Sequence, residues 1–183
     1  MKPGKGKSKG SAFERLISHK LSLWLTGQDK EYYFYRSPSS GAVATMNEQN
    51  GEITGDIIAI KPEARVLTSK FSIECKDGYP DADFMKLFKN NKNDTIQDFW
   101  AQCIKDARTA DKQGMLIFRK KGMPILVGIE DDTSLSKLMK TNIKQHVILS
   151  YDDELPSIVF FEFDMFLEKL DKKFISKMKV GGK

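Results

Sequence analysis

Cysteine and histidine are scarce in this chain of 183 residues, which has two of each. Cys75 and Cys103 lie far apart and form no CxxC pair, so the sequence suggests neither a disulfide framework nor a zinc ribbon. Both are most simply buried thiols. His19 and His146 have no second nitrogen ligand nearby in sequence, which argues against zinc or non-haem iron chemistry. A bound metal would then be held by carboxylates, a preference that points to Mg2+, with Mn2+ able to substitute. Long apolar runs are also missing, and "LISHKLSLWL" is interrupted by His19 and Lys20. It therefore fits neither a membrane-spanning helix nor a signal peptide, and the expectation is a cytoplasmic protein with no membrane partner.

Hydrophobic residues make up 40% of the chain and charged residues 30%, the balance of a soluble globular domain. The length suits one domain with its own core. A net charge of +5 is compatible with a polyanionic partner. The first ten residues, "MKPGKGKSKG", carry Lys2, Lys5, Lys7 and Lys9 among Gly, Ser and Pro, and are expected to form a flexible basic arm. Such an arm could follow DNA phosphates through Lys5, Lys7 and Lys9, or simply solubilise the chain. Residues 11–130 are expected to form the core and residues 131–183 a C-terminal extension packed on the same domain.

Hydrophobic spacing gives the element order. "SAFE" matches a capping box, which predicts a first helix from Ser11, with Phe13, Leu16, Ile17, Leu21, Trp24 and Leu25 on its apolar face and Gly27 at its end. "EYYFYR" reads as a strand, followed by the turn formers 37–41. "GEITGDIIAI" and "VLTSKFSIECK" read as two strands of an antiparallel hairpin spanning 53–76. Ile96, Phe99, Trp100, Cys103 and Ala107 repeat at helical spacing, and "MLIFRKKGMPILVGI" reads as two strands around a basic turn. Beyond Glu130 a short helix, two short strands and a Lys-rich C-terminal helix are expected. The fold class is α/β, a mixed central sheet flanked by helices.

In strand 71–76, Phe71, Ile73 and Cys75 alternate with Ser72, Glu74 and Lys76. That is the pattern of a half-buried strand with a solvated face, and it is also the pattern of a metal-dependent nuclease site. Asp56 stands between Gly55 and the apolar run Ile57–Ile60, where a carboxylate suits a sheet poorly unless a positive group compensates it. A hairpin would bring Asp56 and Glu74 together as metal ligands, with Lys76 reaching the attacking water or the scissile phosphate. Glu14 could complete the ligand set, or serve only as the third residue of the Ser11 capping box.

Glu14 on a first helix, Gly55-Asp56 on one strand, Glu74-Cys75-Lys76 on the next and then a long helix together resemble the PD-(D/E)xK nuclease superfamily, with its restriction-endonuclease-like core. "KGKSKGSAFERLISHKL", "RSPSSG", "GDI" and "IECK" are similar to stretches of the archaeal-type Holliday junction resolvases and their phage relatives, over roughly residues 5–120. Gly55 stands where the superfamily name has Pro. The resemblance implies a homodimeric, Mg2+-dependent endonuclease that cuts branched duplex DNA, with Asp56, Glu74 and Glu14 at the metal and Lys76 at the hydrolytic water. It also implies that Ser40, in the loop after Arg36, contacts DNA and that Gln102 lies on a helix beside the site. Arg36 and the following loop could equally end a strand and turn. The alternatives are another PD-(D/E)xK nuclease of repair or restriction type, and a non-catalytic nucleic-acid-binding module.

Overall fold

The computed structural model describes residues 5–29, 32–37, 54–82, 84, 95–151 and 155–179. Its centre is a five-stranded sheet built from β3 (Phe71–Asp77), β4 (Gln113–Arg119), β5 (Leu126–Glu130), β6 (Val147–Leu149) and β7 (Ile158–Glu162), in the order β3-β4-β5-β7-β6. β3 and β4 are parallel and the remaining pairs antiparallel. The parallel pair requires a crossover, and the 15-residue helix α3 (Thr95–Thr109) supplies it. A separate antiparallel pair joins β1 (Phe34–Arg36) to β2 (Ile57–Ala59).

Alternation along the strands divides the core between the two faces of the sheet. Ile73, Met115, Ile117, Val127, Val159 and Phe161 pack with Phe13, Ile17 and Leu21 of α1 (Lys5–Thr26). Leu116, Phe118, Ile158 and Phe160 pack with Ile96, Trp100, Cys103 and Ile104 of α3. The mixed sheet flanked by helices expected from the sequence is thus the architecture found. Both tryptophans serve packing, as their apolar helix faces indicated: Trp100 is fully buried, and the indole N–H groups of Trp24 and Trp100 donate to the carbonyls of Leu170 and Pro156. No helix among the described residues is long and apolar enough to cross a membrane.

Three local expectations are corrected. Helix α1 begins at Lys5, so Ser11 does not cap it and residues 5–10 of the expected flexible arm have helical backbone. The Ser11 hydroxyl accepts from Arg36 instead of competing for the helix's own N–H groups. Residues 53–76 are not an antiparallel hairpin: Gly55 meets Ile73 in a parallel bridge, and a 3-10 turn (Pro62–Ala64) leads into α2 (Arg65–Thr68) before β3 starts. Pro62 is pre-set for a first helical turn, and the three-residue spacing of Ala64 and Leu67 buries both, so "VLTS" joins a helix despite its β-formers. The single C-terminal helix is two, α5 (Phe163–Lys169) and α6 (Lys172–Lys177), divided where the Asp171 carboxylate accepts from Lys173 N–H as an N-cap. The short helix after Glu130 is α4 (Ser134–Asn142), capped by Thr133.

Candidate active site

Asp56 reaches the sheet through its backbone and its side chain at once. Its N–H donates to the Ile73 carbonyl at 2.7 Å, and its Oδ2 accepts from the Cys75 N–H at 2.8 Å. The carboxylate therefore takes the place of the next main-chain acceptor along the free side of β3. This fit depends on Gly55, which has φ +79° and whose place beside β3 leaves no room for a side chain: an added Cβ would lie 2.5 Å from the Ile73 oxygen and 2.7 Å from its nitrogen. Glycine alone satisfies both the dihedral and the approach.

On the α3 face of β3, Glu74 is buried, with 6% of its surface exposed. Lys76 Nζ donates to Glu74 Oε1 at 2.6 Å and to Gln102 Oε1 of α3 at 2.9 Å. The ammonium also stands 5.4 Å from the centre of the Phe99 ring, against whose other contact, Tyr79, the rings meet edge to face at 4.7 Å. Two side-chain acceptors and an aromatic ring thus fix the direction of Lys76. Glu14 projects from α1 toward the same edge, where Arg36 Nη1 lies 3.5 Å from its Oε2. With the helix starting at Lys5, Glu14 is not a capping residue, and its partner is Arg36.

The electrostatics show that these groups share one neighbourhood. Burial raises the pKa of Asp56 above its ordinary value, against the opposing effect of the Cys75 N–H and Lys76. Burial and then the charge of Asp56 raise Glu74, and the same two causes raise Glu14 against Arg36 and Arg15. Burial works against a charged Lys76, but its bond to Glu74 and the charges of Glu74 and Asp56 outweigh this and hold it above the usual lysine value. Asp56 repels both Glu74 and Glu14 at the β3 edge, with Lys76 and Arg36 in partial compensation.

The structure thus brings Asp56, Glu74, Lys76 and Gln102 together, with Glu14 and Arg36 beside them. The side chains of Lys5, Lys7 and Lys9, and the whole of Ser40, lie outside the described residues. Two neighbours carried no recognisable signal: Asp106, one turn beyond Gln102 on α3, which adds negative charge at Asp56 and Glu74, and Tyr79, whose ring packs on the Phe99 ring that Lys76 overlies. The four-residue interval from Gln102 to Asp106 marks a shared helix face, which becomes meaningful once Gln102 is seen on Lys76.

No group of three or more His, Cys, Asp or Glu side chains among the described residues is arranged to hold a metal ion. The donor chemistry nevertheless fits a hard divalent cation, since Mg2+ is ordinarily bound by one or two carboxylates together with water and substrate phosphate. Asp56 and Glu74 supply that pair, and burial, the first cause of the raised pKa of each, makes an ionised carboxylate costly there unless a cation offsets it.

A family model described as "Phage putative PDDEXK endonuclease" matches residues 5–177. No curated protein and no solved structure matches the chain. The match spans nearly the entire sequence, including the C-terminal residues beyond the stretch that resembles resolvases, and the chain belongs to this PD-(D/E)xK endonuclease family.

Proposed function

We propose that this family member is a divalent-metal-dependent DNA endonuclease acting through Asp56, Glu74 and Lys76. One observation carries the reading: Asp56, seated on the outer edge of β3, and the Glu74–Lys76 pair on that strand converge at one end of the sheet. Asp56 and Glu74 would hold Mg2+, and Glu14 would support it. The cation would supply Lewis-acid stabilisation of the phosphoryl group and a more acidic water. Lys76, aimed by Glu74 and Gln102, would orient that water or neutralise charge on the phosphate. Arg36 holds Glu14 in place, and Ser40 and the N-terminal lysines would meet the DNA backbone.

Branched duplex DNA cut by a homodimer is the finer form of this proposal. It is supported by the resemblance of the Gly55-Asp56 and Glu74-Cys75-Lys76 pattern to that of the resolvases, and paired cuts in a symmetric junction would then call for two copies of the chain.

The test is cleavage of a labelled four-way junction beside a matched linear duplex, with Mg2+ or with chelator. Lys76→Ala is expected to lower the cleavage rate about 10²- to 10⁴-fold, the usual contribution of a positioned proton-transfer group. DNA affinity in chelator should stay close to that of the unaltered protein. Cutting of both substrates retains the endonuclease and removes the junction preference. Salt-sensitive binding of both with no cleavage would replace catalysis by a binding role.

A further inference from the structure

The turn between β4 and β5 is not accounted for by the site or by the core. It reads Lys120-Lys121-Gly122-Met123. The Met123 N–H closes it onto the Lys120 carbonyl at 3.0 Å, and Gly122 has φ +78°. Residues 121–124 are all exposed. Met123, at 59%, is the most exposed large hydrophobic side chain among the described residues. A solvated turn accounts for lysines but gives no reason for a methionine at its tip.

The base of the turn is bolted to the catalytic end of the sheet. Lys76 stands opposite Phe118, and Asp77 opposite Arg119. Arg119 donates from Nε and Nη2 to both Asp77 oxygens at 2.9 and 3.0 Å. Its guanidinium also covers the ring of Phe13, 4.9 Å from the ring centre and next in sequence to Glu14. The turn is therefore held at a set distance from the carboxylates. Lys121 lies two residues beyond the end of β4, at the same end of the sheet as the Lys76–Phe118 level.

Resting on the endonuclease reading above, we propose that the Lys120–Met123 turn is a DNA-backbone contact, in which Lys121 neutralises a phosphate flanking the bond to be cut. Met123 lies against the adjoining sugar or base edge, an apolar contact of the kind that groove-binding proteins make with methionine. The paired Asp77 and Arg119 keep the turn from folding away from the groove.

The experiment measures binding of labelled duplex DNA by the full chain in chelator, where cleavage does not intervene, as a function of salt. Lys121→Glu is expected to weaken binding about three- to tenfold and to flatten the plot of log affinity against log salt by about one unit, as loss of one phosphate contact does. Met123→Ser should weaken binding with the slope unchanged. Lys144→Glu, in the exposed segment just before β6 on the opposite edge of the sheet, is the control and should leave the slope unaltered. A Lys121→Glu protein with the original melting temperature, affinity and slope would overturn the proposal, as would an equal effect from Lys144→Glu. In either case a protein that still cuts DNA keeps its endonuclease reading. Failure of the unaltered chain to bind or cut DNA would remove both.

Discussion

Asp56→Asn is expected to abolish cleavage and, in the same protein, to raise the melting temperature. The loss should be about a thousandfold or more, since one metal-holding carboxylate contributes several kcal/mol to stabilising the transition state and each 1.4 kcal/mol or so is tenfold in rate. The gain in stability follows from the direction of the pKa shifts. Burial raises Asp56, and burial together with Asp56 raises Glu74 and Glu14. A carboxyl whose folded pKa exceeds its unfolded value binds its proton more tightly in the native state. Its stabilising contribution is present below the unfolded pKa and is lost as pH rises through the folded one. At neutral pH the three ionised carboxylates therefore work against the fold.

Asn keeps an oxygen that can accept from the Cys75 N–H and removes one of the three charges. A rise of about 2–4 °C would correspond to about 1 kcal/mol in a chain of this size. The metal-free protein should likewise melt higher in mild acid than at neutral pH, while cleavage rises with pH as the carboxylates ionise. Added Mg2+ should raise the melting temperature of the unaltered protein and leave Asp56→Asn unmoved, because a ligand stabilises only the state that binds it. Scanning calorimetry with and without Mg2+ checks the set, and a lowered melting temperature for a soluble Asp56→Asn protein would refute the electrostatic argument.

Gly55→Ala is expected to destabilise the fold by about 3 kcal/mol and to inactivate it. The left-handed backbone alone costs an alanine about 1–2 kcal/mol. The new methyl must also displace the main chain of Ile73, which is held in the core and cannot yield as a flexible side-chain tip would. Relief comes most easily by moving residues 54–56 away from β3, which would break the Asp56 N–H bond to Ile73 and take the Asp56 carboxylate off Cys75. A melting temperature lower by about 6–12 °C, with Mg2+-induced stabilisation lost, is the expected result. Unchanged stability would show that the segment tolerates a side chain where the geometry denies it.

The sequence disclosed the parts of this site that depend on period and hid those that depend on topology. Alternation along 71–76 separated Glu74 and Lys76 from Phe71, Ile73 and Cys75, because that period is local; the helical repeat from Ile96 put Gln102 on a helix, and only the resemblance to known nucleases put it beside the site. The sense of the approach between Asp56 and Glu74 was not legible. The intervening residues could form a turn between antiparallel strands or a helical crossing between parallel segments, and Val66, Leu67 and Thr68 suit a strand as well as a helix. Burial of Ala64 and Leu67 settled it. Ser11 and Glu14 matched a capping box in letters alone, since what decided their roles was Arg36, 25 residues from Ser11 in the chain and visible only when folded.

β3 is an edge strand, with β4 on one side only in its sheet. An edge of free N–H and carbonyl groups invites a strand from another molecule to add to it, and exposed edges of this kind seed aggregation. Here the Asp56 N–H occupies the Ile73 carbonyl and its carboxylate occupies the Cys75 N–H. The residue proposed to hold the metal thus also shuts the sheet against its own kind, and does so with a negative charge that an incoming strand would have to bury. Asp56→Asn keeps the bonds of that guard and gives up only its charge, whereas Gly55→Ala lifts it altogether. The second protein should therefore fail in storage as well as in catalysis, by precipitating over time.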